Sequence, residues 1–393
     1  MYGYLHNGAA GRMIAPMHTE RLSDDVYVFT SELYYQVTAS LIVSGTIGVL
    51  IDTLPFPEET VQIAQLVNRL CPDGVRYIIY TQHQADHVYG AAFFPRAEVI
   101  SHTLCRDLMI AHGFDALEEA KIQSPSLNLV RLRLPTITFD KGNFALRLPG
   151  KTLELLRMPG HTPDSIAVLF QEEKLLFAGD TIMALPTVSD PGADVAAIRQ
   201  AIELVAGMQL DCIVQGHGEI ILRGEIKENM RRSNHYLETL VGKVEKLVET
   251  GAPREEAGRL PIEQCGMPRV LLNGAVTQLH TANVLALYDR LMLSRPPVKT
   301  AEAPKTQPPA RPAKPAARVA ATPAKGAGKK NGAAVTSAVK APVGKARGAA
   351  TTASKPDTAR TKPAPASKAH GGPPPAKSAT KPADRAKTPG KAK

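Results

Sequence analysis

Residues 81–90, TQHQADHVYG, set His83, Asp86 and His87 close together, directly after the apolar run VRYIIYT. A short apolar run bounded by polar residues reads as a buried strand. The three side chains therefore stand on the loop at a strand end, where a rigid scaffold presents reactive groups. Imidazole and carboxylate together suit a metal ion of borderline softness, whereas the amide oxygens of the interleaved Gln82 and Gln84 are poor ligands for one. The loop thus mixes strong ligands with weak ones, and the rest of the chain decides which of them share a site.

On the N-terminal side, DDVYVFTS, YQVTASLIVSG and TIGVLIDT are rich in Val, Ile, Thr or Tyr and separated by polar or Gly signals, which predicts a strand meander. PEETVQIAQLVNRL opens with Pro57 and two acids and carries Val61, Ala64, Val67 and Leu70 at helical spacing. After the quoted loop the order recurs. AEVISH reads as a strand, TLCRDLMIAHG and DALEEAKI as helix, FALRLPG and KTLELLRMPG as strands, and SIAVLFQEEKLLFAGDT as a hairpin. ADVAAIRQAIELVAGM is then helical and DCIVQGHG a strand ending in a loop. Strand-then-helix in both halves predicts a duplicated α/β arrangement. Two further helices are expected over 224–250 and 269–293, either capping this body or forming a dimer surface.

Five segments set His or Asp immediately after a strand: Asp52 in GVLID, the Asp86/His87 pair, His161 in MPGHTPDS, Asp180 in FAGDT and His217 in VQGHG. One loop histidine means little, but five such segments predict a shared site for Zn, Fe or Mn. A competing register reads HQADH, with His83 and His87 four apart, as a variant of the helical H-x-x-E-H zinc motif. That register has Asp in place of Glu and leaves His161, Asp180 and His217 unused. Asp52 and Thr181 are supporting candidates. His102 and Tyr89 are weaker ones, each as readily a packing residue, and Asp164 is placed either to cap a turn or to orient His161.

The ordered set TQHQADH, GHTPDS, AGDT and GHG resembles the metallo-β-lactamase-fold hydrolases over about 200 residues, 22–219. The resemblance implies an αββα sandwich with metals at one sheet edge. In that family the loop reads T-H-x-H-x-D-H. Its two leading histidines and the His of the GHT motif bind a first metal, and its Asp and last His bind a second together with the His of the final motif. Carried over, His161 belongs to the first position, Asp86, His87 and His217 to the second, and Asp180 bridges them. The two leading histidines are Gln82 and Gln84 here.

The implied function is a metal-dependent hydrolase, mononuclear at the second position, acting on an ester, thioester, lactone or amide of a small molecule. Asp86, His161 and Asp180 are its expected catalytic residues, with His161 freed from a complete first position to act as base. One Zn per chain is expected rather than two, with Fe or Mn as alternatives. Two rivals stay open: a metal-free pseudoenzyme serving as a binding module, and an iron-dependent oxygenase.

Of the 47 Lys and Arg, 21 follow position 295 against 3 acids, so the net +10 divides into a tail of +18 and a body of −8. The tail at 296–393 is nearly all Ala, Pro, Lys, Thr and Gly and has no aromatic residue, which predicts disorder. Nonspecific nucleic-acid contact is its expected partner chemistry. The expected division is a metallo-β-lactamase-like domain at 1–222, a helical extension of the same body at 223–295, and the tail. Four scattered cysteines without a C-x-x-C pair and no long apolar run predict a cytoplasmic protein without membrane segments.

Overall fold

The protein is described over residues 17–294 of a computed structural model. The expectations for the basic tail at 296–393 lie outside those residues. The first sheet holds seven strands in sequence order: β1 (His18–Arg21), β2 (Val26–Thr30), β3 (Thr38–Ser44), β4 (Ile47–Ile51), β5 (Val75–Ile79), β6 (Glu98–His102) and β7 (Ile137–Phe139). Strands β1 to β4 form an antiparallel meander, and β4 to β7 continue it in parallel.

The second sheet contains β8 (Phe144–Leu148), β9 (Lys151–Arg157), β10 (Ile166–Phe170), β11 (Leu175–Gly179), β12 (Cys212–Gln215) and β13 (Ile221–Leu222). They lie in the order β13-β12-β11-β10-β9-β8, with β11 and β12 the parallel pair.

The central strands read as unbroken apolar runs because both of their faces are covered. Successive side chains of a strand point to opposite faces. Val49 and Ile51 of β4 accordingly join Leu175 and Phe177 of β11 between the sheets, while Leu50 and Leu176 face outward.

On the outer face of the first sheet pack α1 (Pro57–Leu70), α2 (Ala85–Val88), α3 (Thr103–Leu108) and α4 (Phe114–Gln123), burying Ile63, Val67, Val88, Cys105 and Leu117. The second sheet is covered by α5 (Val195–Gly207), α6 (Ile226–Glu249), α7 (Arg254–Ala257) and α8 (Val276–Ser294) through Ile202, Tyr236, Leu240, Ala257 and Val284. Helix, sheet, sheet, helix is the αββα order.

The helix expected over 269–293 starts later, at Val276, because Leu272 and Asn273 adopt left-handed backbone (φ 49° and 54°) ahead of Gly274. Its apolar spacing runs on upstream because Leu272 is a core residue within a turn. The C-terminal helices are part of the body. Asn283 of α8 accepts from the Val188 amide (2.7 Å) and donates to the Pro186 carbonyl (2.9 Å) and the Tyr236 hydroxyl (3.0 Å), which fixes the loop after β11. Among the described residues no helix is long and apolar enough to cross a membrane. All four cysteines are buried free thiols.

Candidate metal centre

Strands β4, β5, β11 and β12 end at the same edge of the sandwich, and the loops after them and after β9 carry Asp52, residues 81–88, Asp180, His217 and His161. Asp86, His87 and His217 each offer a ligand atom within 4.8 Å of the others. His217 Nε2 is 3.2 Å from Asp86 Oδ2 and 3.6 Å from Asp180 Oδ1, and His87 Nε2 is 3.4 Å from Asp180 Oδ2. His87 Nε2 and Asp180 Oδ1 are buried and accept or donate no hydrogen bond. Two orphaned polar atoms in a cluster of four ligating side chains are the fit expected of a cation position, since buried polar groups are otherwise paired.

The far side of each imidazole is already assigned. His87 Nδ1 donates to Asp52 Oδ2 (2.8 Å) and His217 Nδ1 donates to the Tyr35 carbonyl (2.9 Å). Each Nε2 is thereby left with its lone pair directed inward, the arrangement by which outer partners orient metal-binding histidines. Asp52 also accepts from the Thr81 amide (2.8 Å) and hydroxyl (2.7 Å), which locks the first residue of the quoted loop.

Tyr35 and the adjacent Gln36 are left-handed (φ 43° and 52°), a conformation that non-glycine residues adopt at a cost of about 1 kcal/mol or more. Buried Glu59 of α1 holds the preceding turn by accepting from the Ser31 hydroxyl (2.7 Å) and the Glu32 amide (2.8 Å). Burial raises the Glu59 carboxyl above its usual range, only partly offset by these donors.

Burial disfavours charge on all four inner groups, yet their mutual attraction wins. Despite that desolvation, His87 and His217 hold the Asp180 carboxyl far below the ordinary range, and His87 holds Asp86 below it too. His87 and His217 are raised in turn, chiefly by Asp180. Ionised carboxylates therefore demand positive charge at this point, which a divalent ion held by Asp86, His87 and His217 would supply in place of imidazole protons. Replacing Asp52 by Asn turns one acceptor toward three donors. We expect Asp52→Asn to weaken metal affinity about 10- to 100-fold, as loss of such outer partners generally does, measured by competition with a chromogenic chelator.

The glutamines occupy the other half of the site. Gln82 Nε2 donates to Asp180 Oδ2 (2.8 Å), and its Oε1 accepts from Thr162 Oγ1 (3.2 Å). Gln84 Nε2 donates to Asp190 Oδ1 (2.7 Å), and its Oε1 lies 3.0 Å from His161 Nε2. His161 is not left free, because Thr187 Oγ1 engages its Nδ1 at 2.8 Å.

Asp164 orients His83 rather than His161, with Asp164 Oδ1 2.9 Å from His83 Nδ1, and so His83 is turned away from the cluster as the loop register requires. Thr181 sends its hydroxyl to the Met158 carbonyl (3.1 Å) and not to Asp180. His102 caps α3 through the Leu104 amide (3.1 Å), and Tyr89 is buried against the outer face of the first sheet. Tyr35, Glu59, Thr187 and Asp190 escaped the sequence reading. Asp190 sits in an ordinary loop sequence, SDPGAD, and its partner Gln84 is 106 positions away.

An αββα sandwich with carboxylates and imidazoles converging at one sheet edge defines a class of metal-binding hydrolase folds. Residues 34–217 match the family model of the metallo-beta-lactamase superfamily. The hydroxyacylglutathione hydrolase GloC of Haemophilus influenzae is 30% identical over 128 residues, 32% of this chain and 58% of that protein. A probable metallo-hydrolase of Methanocaldococcus jannaschii is 28% identical over 192 residues, 46% of this chain and 87% of that protein. Other curated relatives are spanned over about half of their length or less. The fold is shared with a metallo-beta-lactamase family protein of Thermus thermophilus, at a TM-score of 0.53 and 18% identity, covering 70% of this chain and 95% of that one.

Proposed function

We propose that this chain is a metal-dependent hydrolase in which Asp86, His87 and His217, with Asp180 as fourth ligand, hold one borderline ion, zinc first and iron or manganese as alternatives. The observation that carries the reading is the pair of buried, partnerless atoms, His87 Nε2 and Asp180 Oδ1, facing the Asp86 and His217 side chains. Held there, such an ion would supply Lewis-acid chemistry, enough to bring the pKa of water from about 15.7 toward about 7 and to polarise an acyl group. Asp52 and the Tyr35 carbonyl fix the two imidazoles, and Gln82 holds Asp180 by its Oδ2. The substrate class is an ester, thioester, lactone or amide, and the kinship with hydroxyacylglutathione hydrolase supports a thioester first.

Elemental analysis of full-length protein purified without added metal tests the reading. About one tightly held zinc or iron per chain is expected, together with thioester hydrolysis that a chelator abolishes and the same metal restores. Protein that takes up none even on reconstitution, and hydrolyses nothing, would instead be the metal-free binding module.

A further inference from the structure

Helix α8 holds the loop that leads from β11 to α5 past the centre. Asn283, wholly buried, accepts from the Val188 amide (2.7 Å) and donates to the Pro186 carbonyl (2.9 Å), so it grips the backbone on both sides of Thr187. Arg290, further along the same helix, donates to the Ala193 carbonyl (2.9 Å) and to the carbonyl of Val188. The loop is thereby clasped at 186, 188 and 193, and the residue at the middle of the first grip is the one whose hydroxyl engages His161.

The direction of each hydrogen bond in this relay is determined. A carbonyl only accepts, so His280 donates from Nε2 to Leu260 (3.0 Å) and presents a lone pair at Nδ1. Burial pushes this imidazole below its usual range and keeps it neutral. The Tyr236 hydroxyl donates to that lone pair (3.0 Å) and accepts from Asn283 Nδ2 (3.0 Å). With one amide N–H on Tyr236 and the other on Pro186, the Asn283 oxygen is turned to Val188. At the other end, the oxygens facing His161 Nε2 are Gln84 Oε1 (3.0 Å), Asp180 Oδ2 (3.3 Å) and Asp190 Oδ2 (3.6 Å), all acceptors, so this nitrogen carries the proton. The Thr187 hydroxyl then donates to Nδ1 (2.8 Å), the Met183 thioether at 3.3 Å being the weaker acceptor.

We propose that Asn283 is a positioning residue of the proposed hydrolase, the reading on which this inference rests: it sets Thr187, and Thr187 sets the plane and tautomer of His161. In that tautomer His161 presents an N–H beside Asp180, a donor aimed at oxygen where charge develops during acyl transfer. Among the described residues Asn283 bonds to Pro186, Val188 and Tyr236 and to none of the four proposed ligands. Its loss therefore misaims His161 and slows the reaction while the ligand set stays whole.

The test compares zinc-loaded full-length wild type with Asn283→Ala, Thr187→Val and the double variant. Imidazole ¹⁵N spectra, with His161 assigned by its absence in His161→Gln, should show a hydrogen-bonded Nδ1 lone pair in the wild type. Both single variants are expected to move this resonance alike and the double variant no further, with the His87 and His217 signals in place. Each single variant should lower kcat for thioester hydrolysis at least about tenfold, the scale of a small misplacement at a reacting centre, with zinc content unchanged. The double variant should be no slower than Thr187→Val, whereas two independent structural defects would multiply to about 100-fold. Should Asn283→Ala not fold, Tyr236→Phe replaces it, because it frees the amide orientation without removing a packing group, and the same His161 displacement is expected. An unmoved His161 Nδ1 resonance, or multiplying rate losses, would overturn the proposal. The spectra report separately from activity: a wild type that hydrolyses no thioester yet shows His161 coupled to Asn283 would sink the hydrolase reading and leave the relay standing.

Discussion

His217→Ala protein, purified alongside the wild type without added metal, is expected to carry less than about a tenth of its zinc and to hydrolyse thioesters more than about 100-fold more slowly. The magnitude follows from comparison with outer partners, whose loss alone costs about 10- to 100-fold in affinity or activity; a direct ligand should cost more. His217 also does more than ligate. Its Nε2 sits between Asp86 and Asp180, and its Nδ1 ties the strained Tyr35 turn to β12. Without the imidazole, two buried carboxylates lose one of the groups that keep them ionised. Elemental analysis and initial rates on the same preparation provide the check. Full zinc and full activity in His217→Ala would remove His217 from the site and with it the proposed ligand set.

Gly216→Ala should be among the most damaging single substitutions in the chain, costing about 3 kcal/mol or more of stability. A Cβ at this position would lie 2.0 Å from Asp180 Oδ1, 2.6 Å from the Gly179 carbonyl carbon and 2.8 Å from the Asp180 amide. Relief by backbone movement is blocked on both sides, because the Gly216 amide donates to Gly179 (2.8 Å) and its carbonyl accepts from the Thr38 amide (2.9 Å). Asp180 would be driven off its position, so metal content should fall together with the urea midpoint. Gly242→Ala is the contrasting case. Gly242 is an exposed residue inside α6 with nothing within 4 Å of its added Cβ, and about 1 kcal/mol of stabilisation is expected from helix propensity. Equal unfolding midpoints for Gly216→Ala and wild type would contradict the close approach of Gly216 to Asp180.

Gly216 also illustrates how legibility divides. In the sequence it is one more glycine in VQGHG, marking a loop. Its necessity comes from Asp180, 36 positions earlier by the numbering, whose carboxylate passes through the space a side chain would fill. Asp52 is similar: a residue ending GVLID in the sequence, and in the fold the acceptor that joins Thr81 to His87.

The strands and helices were legible where local periodicity governs. The 14 residues PEETVQIAQLVNRL form α1 over the expected span, although Val61 of the expected spacing is 41% exposed and Ile63 is buried instead, and the apolar runs of β3, β4 and β11 are strands buried on both faces. The start of α8 was not legible, because apolar spacing is the same for a core residue in a turn as for one in a helix, and only the left-handed Leu272 and Asn273 separate them.

For the site, the sequence was enough to put histidines and aspartates at strand ends and to name the loops that carry them, since strand-end positions and residue chemistry are both local properties. It could not assign what the glutamines do. Whether an amide is a lost ligand, a clamp or an oxygen donor depends on which groups surround it, and Gln82 meets Asp180 and Gln84 meets Asp190 only after two sheets have closed on one another. Hydrogen bonding and coordination act over about 2 to 3 Å, whereas the partners here lie 98 and 106 positions apart along the chain, so the tertiary structure alone sets them face to face.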